Sequence, residues 1–445
     1  MFKLNALFAA ILAVSTAQAF ANGSEADVDQ HGTAHNAAVT QEGANQSSAV
    51  VQWGNNNSAT TTQKSPWYLS SNTSYVYQDG SKHTATVDQN GGGHDAAVKQ
   101  WNDHQTATVT QKGYDNDSSS EQWGGVKNVL LVEQSGTSND SEIAQNGNRN
   151  DVMVKQRGVS DESSVFQQGN HNKAAVDQAG WNGEAEIKQW GDHQTASVTQ
   201  TGYGNSSYSE QYGGVHNVLN VTQSGSSNDS EIAQNGNHND VMVTQRGVSD
   251  DSSVLQQGNH NKATVDQAGW AGEAAVNQWG NRQTASVNQT GAGNDSYSEQ
   301  YGGEFNSLVV KQGGSHNDST VYQNGNRNTA DLAQSGAFNE SKIDQNGNRN
   351  EAVAKQTGTA GDIDLYQSGD NNFADIAQPG LDNDLSAGQF GNENRLLSMQ
   401  SGSYNDATVL QDGRYNVATL NQSGFNDTAY ISQAGNSNTA TVTQR

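Results

Sequence analysis

The chain has 445 residues, of which only 32% are hydrophobic, and its formal net charge is -25. So few apolar side chains cannot fill several conventional cores, and the chain must therefore be disordered or pack in another way. The acidic charge disfavours nucleic acid and anionic lipid as partners, because both are polyanions. There is no Cys, which excludes a disulfide framework and a thiolate metal site.

The N-terminal segment has the pattern of a signal peptide. Lys3 gives a basic start, residues 7–14 form an apolar run too short to span a bilayer, and residues 17–21 contain two overlapping small-x-small cleavage sites. The alternative is a buried N-terminal strand or helix. No later stretch is apolar enough to cross a membrane. The predicted organisation is a signal peptide at 1–21, a short leader at 22–26 and a repeat domain at 27–445.

After this segment a Gln recurs every 11 residues, from Gln30 to Gln444, 38 times in all. Four intervals differ: Gln63 to Gln78 is 15 residues, and three others are 12. A Gly stands two residues after the Gln in 35 of 37 cases, and Val, Ile or Leu stands two residues before it in 31 of 38. Such strict order argues against disorder and indicates a repeat architecture.

Within each unit the pattern alternates with period two, which is typical of a strand with one buried face. In the run 150–156, Asn150, Val152, Val154 and Gln156 point one way, and the residues between them point the other way. The remaining Q-x-G-x-x-N turns the chain, and Gly supplies the backbone conformation that a sharp arc needs. Each unit is predicted to be one strand of about six residues and one turn of about five.

Aromatic residues that directly follow the repeated Gln indicate how the units combine. All eight of them, Trp53 and Trp101 among them, fall on odd-numbered units. Two units therefore form one coil of 22 residues, and the predicted fold is an all-β, two-strand-per-coil β-solenoid of about 19 coils. Residues 139–213 closely match residues 228–302, which indicates duplication of an eight-unit block.

In such a stack each repeated Gln lies above another, so that the side-chain amides hydrogen-bond along the stack, and Asn five residues later does the same at another corner. The predicted ladder includes Gln52, Gln63, Gln145, Gln156, Gln167, Gln178, Gln234, Gln245, Gln345, Gln433, Gln444, Asn57, Asn150, Asn172, Asn239, Asn261 and Asn438. The turn glycines include Gly54, Gly147, Gly169, Gly236 and Gly435.

Neither end of the repeat region has a different sequence that could cap it. The first unit begins at Val28 and the last ends at Gln444. Open strand edges with matching patterns are expected to pair head to tail, which gives a filament rather than a closed ring.

These residues resemble the curlin repeat of bacterial curli subunits. The run Gln52–Gln63 follows the family pattern of Q-x-G-x-x-N-x-A with a second Gln 11 residues on, and Gln145–Gln156 and Gln433–Gln444 match similarly. The resemblance implies a β-solenoid that assembles outside the cell into an amyloid fibre. It also implies a nucleating subunit and an outer-membrane secretion pore as partners, and roles in biofilm matrix, adhesion to surfaces or matrix polymers, and cell aggregation.

Motifs for chemistry are absent from the sequence. Five His residues each stand four residues after a repeated Gln: His171, His193, His238, His260 and His316. This position places them in turns and favours solvated turn residues over a metal site. No catalytic or nucleotide-binding motif occurs, so neither enzyme activity nor a cofactor is expected. The alternative function is a monomeric secreted β-solenoid adhesin or other surface-binding protein.

Overall fold

The computed structural model describes residues 23–66 and 70–445, which form 38 strands and no helix. The chain divides into two compact units, unit 1 up to Val215 and unit 2 from His216. The predicted signal peptide at 1–21 lies outside the described residues, as does Asn22 of the predicted leader. The first strand begins at Glu25.

Unit 1 contains β1 (Glu25–Thr33), β2 (Asn36–Glu42), β3 (Ser47–Asn55), β4 (Ser58–Lys64), β5 (Thr73–Ser81), β6 (Thr84–Gly92), β7 (Asp95–Asp103), β8 (Thr106–Tyr114), β9 (Asp117–Trp123), β10 (Val129–Thr137), β11 (Asp140–Asn148), β12 (Asp151–Gln156), β13 (Glu162–Asn170), β14 (Lys173–Trp181), β15 (Glu184–Asp192), β16 (Thr195–Tyr203) and β17 (Ser206–Val215).

Unit 2 contains β18 (Val218–Ser226), β19 (Asp229–Asn237), β20 (Asp240–Gln245), β21 (Asp251–Asn259), β22 (Lys262–Trp270), β23 (Glu273–Asn281), β24 (Thr284–Ala292), β25 (Asp295–Glu304), β26 (Ser307–Ser315), β27 (Asp318–Asn326), β28 (Thr329–Ala337), β29 (Glu340–Asn348), β30 (Glu351–Gln356), β31 (Asp362–Asp370), β32 (Phe373–Gln378), β33 (Asp384–Asn392), β34 (Arg395–Gln400), β35 (Asp406–Arg414), β36 (Val417–Gln422), β37 (Thr428–Asn436) and β38 (Thr439–Gln444).

Within each unit the odd-numbered strands form one parallel sheet and the even-numbered strands form another. Strand β11 pairs with β13, and Gln145 stands beside Gln167; β12 pairs with β14, and Gln156 stands beside Gln178. Unit 2 repeats this arrangement from β18 to β38. Each coil is therefore one odd and one even strand, and 38 strands amount to 19 coils. The predicted all-β solenoid with two strands per coil is confirmed.

The space between the two sheets is filled by the residues that the alternation places inward. Asn150, Val152, Val154 and Gln156 are each 0% exposed, whereas Met153 between them is 38% exposed. The aliphatic rows of successive coils give each unit a dry interior, and the Gln and Asn rows border it. A chain poor in apolar residues therefore still has a core.

The strands extend further than predicted. Most contain nine residues rather than about six, and they continue past the repeated Gln and the following Gly, as β11 does. The backbone continues to pair with the next coil in the first residues of the turn. The side chains there do not alternate between the two faces, so the sequence pattern does not reveal this pairing. The turn itself centres on the fourth residue after the Gln, such as Arg149, which has a φ of 54°.

The 12-residue intervals are absorbed at the corners of the coils. In unit 2 the 12-residue interval places Gly302 and Gly303 at φ values of 69° and 66°, and the register of β25 against β23 shifts at this point. Gly reaches such conformations without the steric cost that a Cβ brings. The extra residue therefore leaves the inward rows aligned, and Gln289 still donates to Gln312 across it.

Candidate functional site: polar ladders and coil edges

The repeated Gln side chains form continuous hydrogen-bonded columns in both sheets of each unit. Each Nε2 donates to the Oε1 of the Gln in the next coil. In unit 1 the donors Gln52, Gln63, Gln145, Gln156, Gln167 and Gln178 lie 2.7–3.0 Å from their acceptors. In unit 2 the donors Gln234, Gln245 and Gln345 lie 2.8–3.0 Å from theirs.

The same amides also join the two sheets. Gln145 Nε2 donates to the carbonyl of Val129 at 3.1 Å, and Gln156 Nε2 donates to the carbonyl of Asp140 at 2.7 Å. A buried amide left unsatisfied costs about 1–3 kcal/mol, so these bonds allow an interior that is rich in polar groups. The Gln columns therefore connect successive coils and also hold each coil closed.

The columns have a direction, because Nε2 always donates toward the coil that follows. Gln433 and Gln444 accept from Gln411 and Gln422, and their own Nε2 atoms donate to backbone carbonyls of the opposite sheet. Gln30 donates to Gln52 in the next coil. Within the described residues, the first coil of unit 1 thus presents Gln acceptors, and the last coil of unit 2 presents amide donors.

The Asn residues bond mainly to the backbone of the next coil, and in several coils they also form the expected amide ladder, with Nδ2 donating to the Oδ1 of the Asn in the preceding coil. Asn150 Nδ2 donates to the carbonyl of Gly169 at 2.9 Å, and Asn150 Oδ1 accepts the backbone N–H of Asn172 at 3.0 Å. Asn57, Asn172, Asn239 and Asn261 likewise donate to a Gly carbonyl of the next coil. The shorter Asn side chain reaches the backbone of the arc, so it fixes the turn against the next coil. Asn438 belongs to the amide ladder, since its Nδ2 donates to Asn416 Oδ1 at 3.0 Å.

The turn glycines stand where successive coils approach most closely. Gly147 has a φ of 117°, and a Cβ on it would lie 1.9 Å from the carbonyl oxygen of Gly169. Gly54, Gly169 and Gly236 have the same surroundings. Gly435 in the last coil has a φ of 99°, and the nearest atom to its Cβ would be Asn438 Nδ2 at 3.8 Å. A side chain at the interior positions would push the coils apart, whatever its chemistry.

The His residues stack along one edge of the coils. The rings of His171 and His193 lie 4.7 Å apart with an interplanar angle of 8°, and those of His238 and His260 lie 4.8 Å apart at 1°. His316 stacks on Phe338 in the other row of turns. In the part of the chain that the structure describes, no three His, Asp or Glu side chains converge on a metal position. The stacking joins residues 22 apart, so it becomes visible only when the equivalent turns of successive coils are compared.

The stacked His belong to a longer cationic row, here called the basic ridge. It occupies the αL position after the odd strands, where every φ lies between 54° and 62°. In unit 1 the basic ridge consists of Lys82, His104, Lys127, Arg149, His171 and His193. In unit 2 it consists of His216, His238, His260, Arg282, Arg327 and Arg349. In the coil between Arg282 and Arg327, Phe305 occupies the same position. All but the half-buried His171 are exposed.

The opposite edge is acidic, and its row of carboxylates is here called the acidic column. It occupies the first position of the odd strands, which is exposed in every coil concerned. In unit 1 the acidic column consists of Asp95, Asp117, Asp140, Glu162 and Glu184. In unit 2 it consists of Asp229, Asp251, Glu273, Asp295, Asp318, Glu340, Asp362, Asp384 and Asp406.

In parts of the acidic column, desolvation and then the neighbouring charges raise the pKa of a carboxyl. Desolvation and the neighbouring charges of Glu340 and Asp384 raise the pKa of Asp362 to about 6. Desolvation also raises the pKa of Asp117, with Asp95 and Asp140 acting in the same direction. The parallel register places identical positions side by side, so an acid that recurs at one position becomes a row of like charges.

Comparison with protein families decides the classification. The model of the curlin associated repeat matches residues 21–54, 70–100, 128–158, 214–247, 239–269, 303–336, 358–391, 391–424 and 416–445, more than half of the chain. The chain belongs to the curlin-repeat family. A comparison with curated proteins gives no significant match. The curlin repeats and the solenoid fit a curli-like structural subunit, and the family is structural rather than enzymatic. The described residues include no helix with the length and apolarity needed to span a bilayer.

Proposed function

We propose that this curlin-repeat protein is a subunit of an extracellular amyloid fibre that grows by head-to-tail stacking of solenoids. The directional Gln columns carry this proposal. A last coil that presents Nε2 donors is complementary to a first coil that presents Oε1 acceptors, so that a second copy continues both columns in the same register. Gln433 would then donate to Gln30 of the next copy, and Gln444 to Gln41.

The exposure of the terminal coils supports the same contact. Val28 in β1 is 43% exposed, whereas its partner in the next coil, Val50, is 0% exposed. At the other end Ala440 is half-buried, whereas Ala418 beside it is 0% exposed. Stacking another coil on either end would bury these side chains and pair the outer strand edge, which are the two gains that drive strand addition.

The rest of the assignment follows from the family and the sequence. A cleaved signal peptide at 1–21, passage through an outer-membrane pore and growth from a nucleating subunit are the route expected of a curli-like chain. Biofilm matrix, adhesion and cell aggregation are the expected roles of the fibre. Neither catalysis nor a cofactor forms part of the proposal.

The test is assembly of purified residues 22–445 after dilution from denaturant, followed by thioflavin fluorescence, electron microscopy and fibre diffraction. Filaments with a reflection at ~4.8 Å along the axis are expected. The sharper comparison replaces Gln433 and Gln444 by Leu, with outward-facing Thr428 and Thr439 replaced by Val as the control. The Leu variant is expected to elongate several-fold more slowly than the control.

A stable β-rich monomer that does not assemble would contradict the proposal. The alternative, a monomeric adhesin, would then take its place, and binding of the monomer to abiotic surfaces and matrix polymers would be measured next. Equal elongation rates of the Leu variant and its control would be compatible with fibre formation. They would exclude the Gln columns as the contact between the ends of two copies.

A further inference from the structure

In each unit two rows of opposite charge lie at the two ends of the odd strands. The end with the basic ridge also holds acids such as Asp103, Asp192 and Glu304, and Glu304 lies 3.6 Å from Arg282. Odd strands run from the acidic column to the basic ridge and even strands run back, so that the two rows lie at opposite ends of the strands. The even-strand turns, at the edge of the acidic column, hold Gly or small polar residues in several coils, such as Gly93, Ser138 and Ser249. The basic ridge thus contains six of the 22 Lys and Arg residues of this acidic chain, together with its stacked His.

The acidic edge also exposes aromatic side chains. Trp181 and Tyr203 in unit 1 are 61% and 53% exposed, and Trp270 in unit 2 is 59% exposed. They occupy the third position after the Gln of even strands, at the same turn as the carboxylates. Cations bind carboxylates and also the faces of such rings. This edge therefore has both kinds of group that Lys, Arg and His side chains bind.

The spacing of the two rows is matched, because both are set by the pairing of successive strands. Stacked rings of the basic ridge lie 4.7–5.1 Å apart. The acidic column repeats once per coil in the same parallel ladder, at about 4.8 Å. Two edges with the same repeat can be placed in register over many coils, so that weak single ion pairs add up.

We infer that the basic ridge of one copy binds the acidic column of a second copy, and that this contact pairs filaments side by side. The partner is the same chain, because it offers a complementary row of opposite charge and equal repeat. The inference goes beyond head-to-tail growth. Side-by-side pairing joins the edges of two solenoids, whereas head-to-tail growth joins their ends.

Three charge variants in unit 2 test the pairing. The ridge variant is Arg282→Glu, Arg327→Glu and Arg349→Glu; Glu393 already occupies the same αL position with a φ of 57°, so Glu fits there. The column variant is Asp318→Lys, Glu340→Lys and Asp362→Lys; Lys173 and Lys262 hold the matching position of even strands. The control, Lys311→Glu, Lys342→Glu and Lys355→Glu, adds the same charge as the ridge variant on exposed sheet faces.

Lateral association is measured by electron microscopy as the fraction of filaments in contact along their length, at low and at high salt. The ridge and column variants are each expected to pair several-fold less than the wild type at low salt, and the control to pair like the wild type. A one-to-one mixture of the ridge and column filaments is expected to regain pairing. High salt is expected to abolish the differences, because it screens exposed charges.

The column variant separates edge pairing from general repulsion, since it makes the chain less acidic. If general repulsion controlled association, this variant would pair more than the wild type, and that result would overturn the inference. Equal loss in the control, or no recovery in the mixture, would overturn it too. If the wild type forms no filaments, head-to-tail growth fails separately, and sedimentation velocity of the monomers at low salt then measures the same pairing.

Discussion

The duplicated blocks at 139–213 and 228–302 show which features of this sequence determine the fold. One block lies in unit 1 and the other in unit 2, and their strands have equal lengths, from β11 and β19 to β17 and β25. The blocks differ at 14 positions, and 13 of these face outward or lie in turns. The single inward difference, Ile187 against Val276, changes one methyl group, and both side chains are 0% exposed.

The inward rows therefore hold the coil in place, whereas the residues of the outward rows can change. Even the 12-residue interval at the end of each block produces the same register shift in both, after Trp190 and after Trp279. Among the outward differences, Arg149 in the first block corresponds to His238 in the second, and His193 corresponds to Arg282. The basic ridge therefore keeps Arg or His at these positions although the sequence differs.

The largest expected effect comes from a charge in the inward row. Val154→Asp, or the matching Val243→Asp in the second block, places an unpaired carboxylate where exposure is 0%. We expect a loss of about 3–5 kcal/mol in the free energy of unfolding, measured in urea. The adjacent outward change Met153→Asp is the control, and similar losses for both would refute the inward–outward distinction.

The next effect concerns the Gln column. Gln167→Leu leaves Gln145 Nε2 and Gln189 Oε1 without their ladder partners, which lie 3.0 and 2.8 Å away in the wild type. A destabilisation of about 2–4 kcal/mol is expected, since each buried polar group that is left unpaired costs about 1–3 kcal/mol. Gln168→Leu alters an exposed Gln next to it, and it is expected to cost little. Equal stability of the two variants would show that the column does not stabilise the coil.

A gain of stability is expected at two positions where Asp stands in place of the Asn that lies five residues after the repeated Gln. Asp161 and Asp250, at matching places in the two blocks, are each 1% exposed, and each has a buried Oδ2 without a hydrogen-bond partner. Burial raises the pKa of both carboxyls. Their contribution to stability is thus greatest below the unfolded pKa of about 3.9 and is lost as the pH rises through the folded value.

Asn at these places can donate as Asn139 does to the Gly158 carbonyl, at 3.2 Å. Asp161→Asn is therefore expected to raise the free energy of unfolding at neutral pH by about 1 kcal/mol, the value of one hydrogen bond. The gain should shrink as the pH falls. The exposed Asp151→Asn serves as control, and a gain that is independent of pH would contradict the explanation.

The smallest expected effects come from one substitution in an inward row and one in an outward row. Ile187→Val, which imitates the second block, removes one buried methyl group and is expected to cost about 0.5–1.5 kcal/mol. Tyr203→Ala, which also imitates it, removes a whole ring from a residue that is 53% exposed, and it is expected to change stability by less than about 0.5 kcal/mol. If the exposed ring proved the costlier loss, the outward rows would not be free to change.

The sequence predicted the features that repeat with a fixed period. Alternation around Val152 and Val154 predicted the inward row, and the recurrence of Gln predicted that Gln145 and Gln167 lie in one column. It did not predict how far each strand runs, because pairing at Gly147 depends on the backbone of the next coil. It did not predict the backbone bonds of Asn150 either, since the length of the side chain, rather than its spacing, decides what it reaches.

The basic ridge was missed for a related reason. The five His singled out in the sequence were interpreted one by one, whereas their meaning depends on which turns stack. Once coils of 22 residues are known, His171 and His193 lie with Arg149 and Lys127 in one row, and His316 does not. A reading of the sequence in steps of 22 residues finds both charged rows.

Cryo-electron microscopy of fibres grown from residues 22–445 tests the central claim most directly. We predict that coils stack every ~4.8 Å along the fibre without a break, and that the Gln column passes from Gln433 and Gln444 of one copy to Gln30 and Gln41 of the next. Subunits joined side by side or in antiparallel pairs, with the end coils unpaired, would contradict head-to-tail growth through the Gln columns.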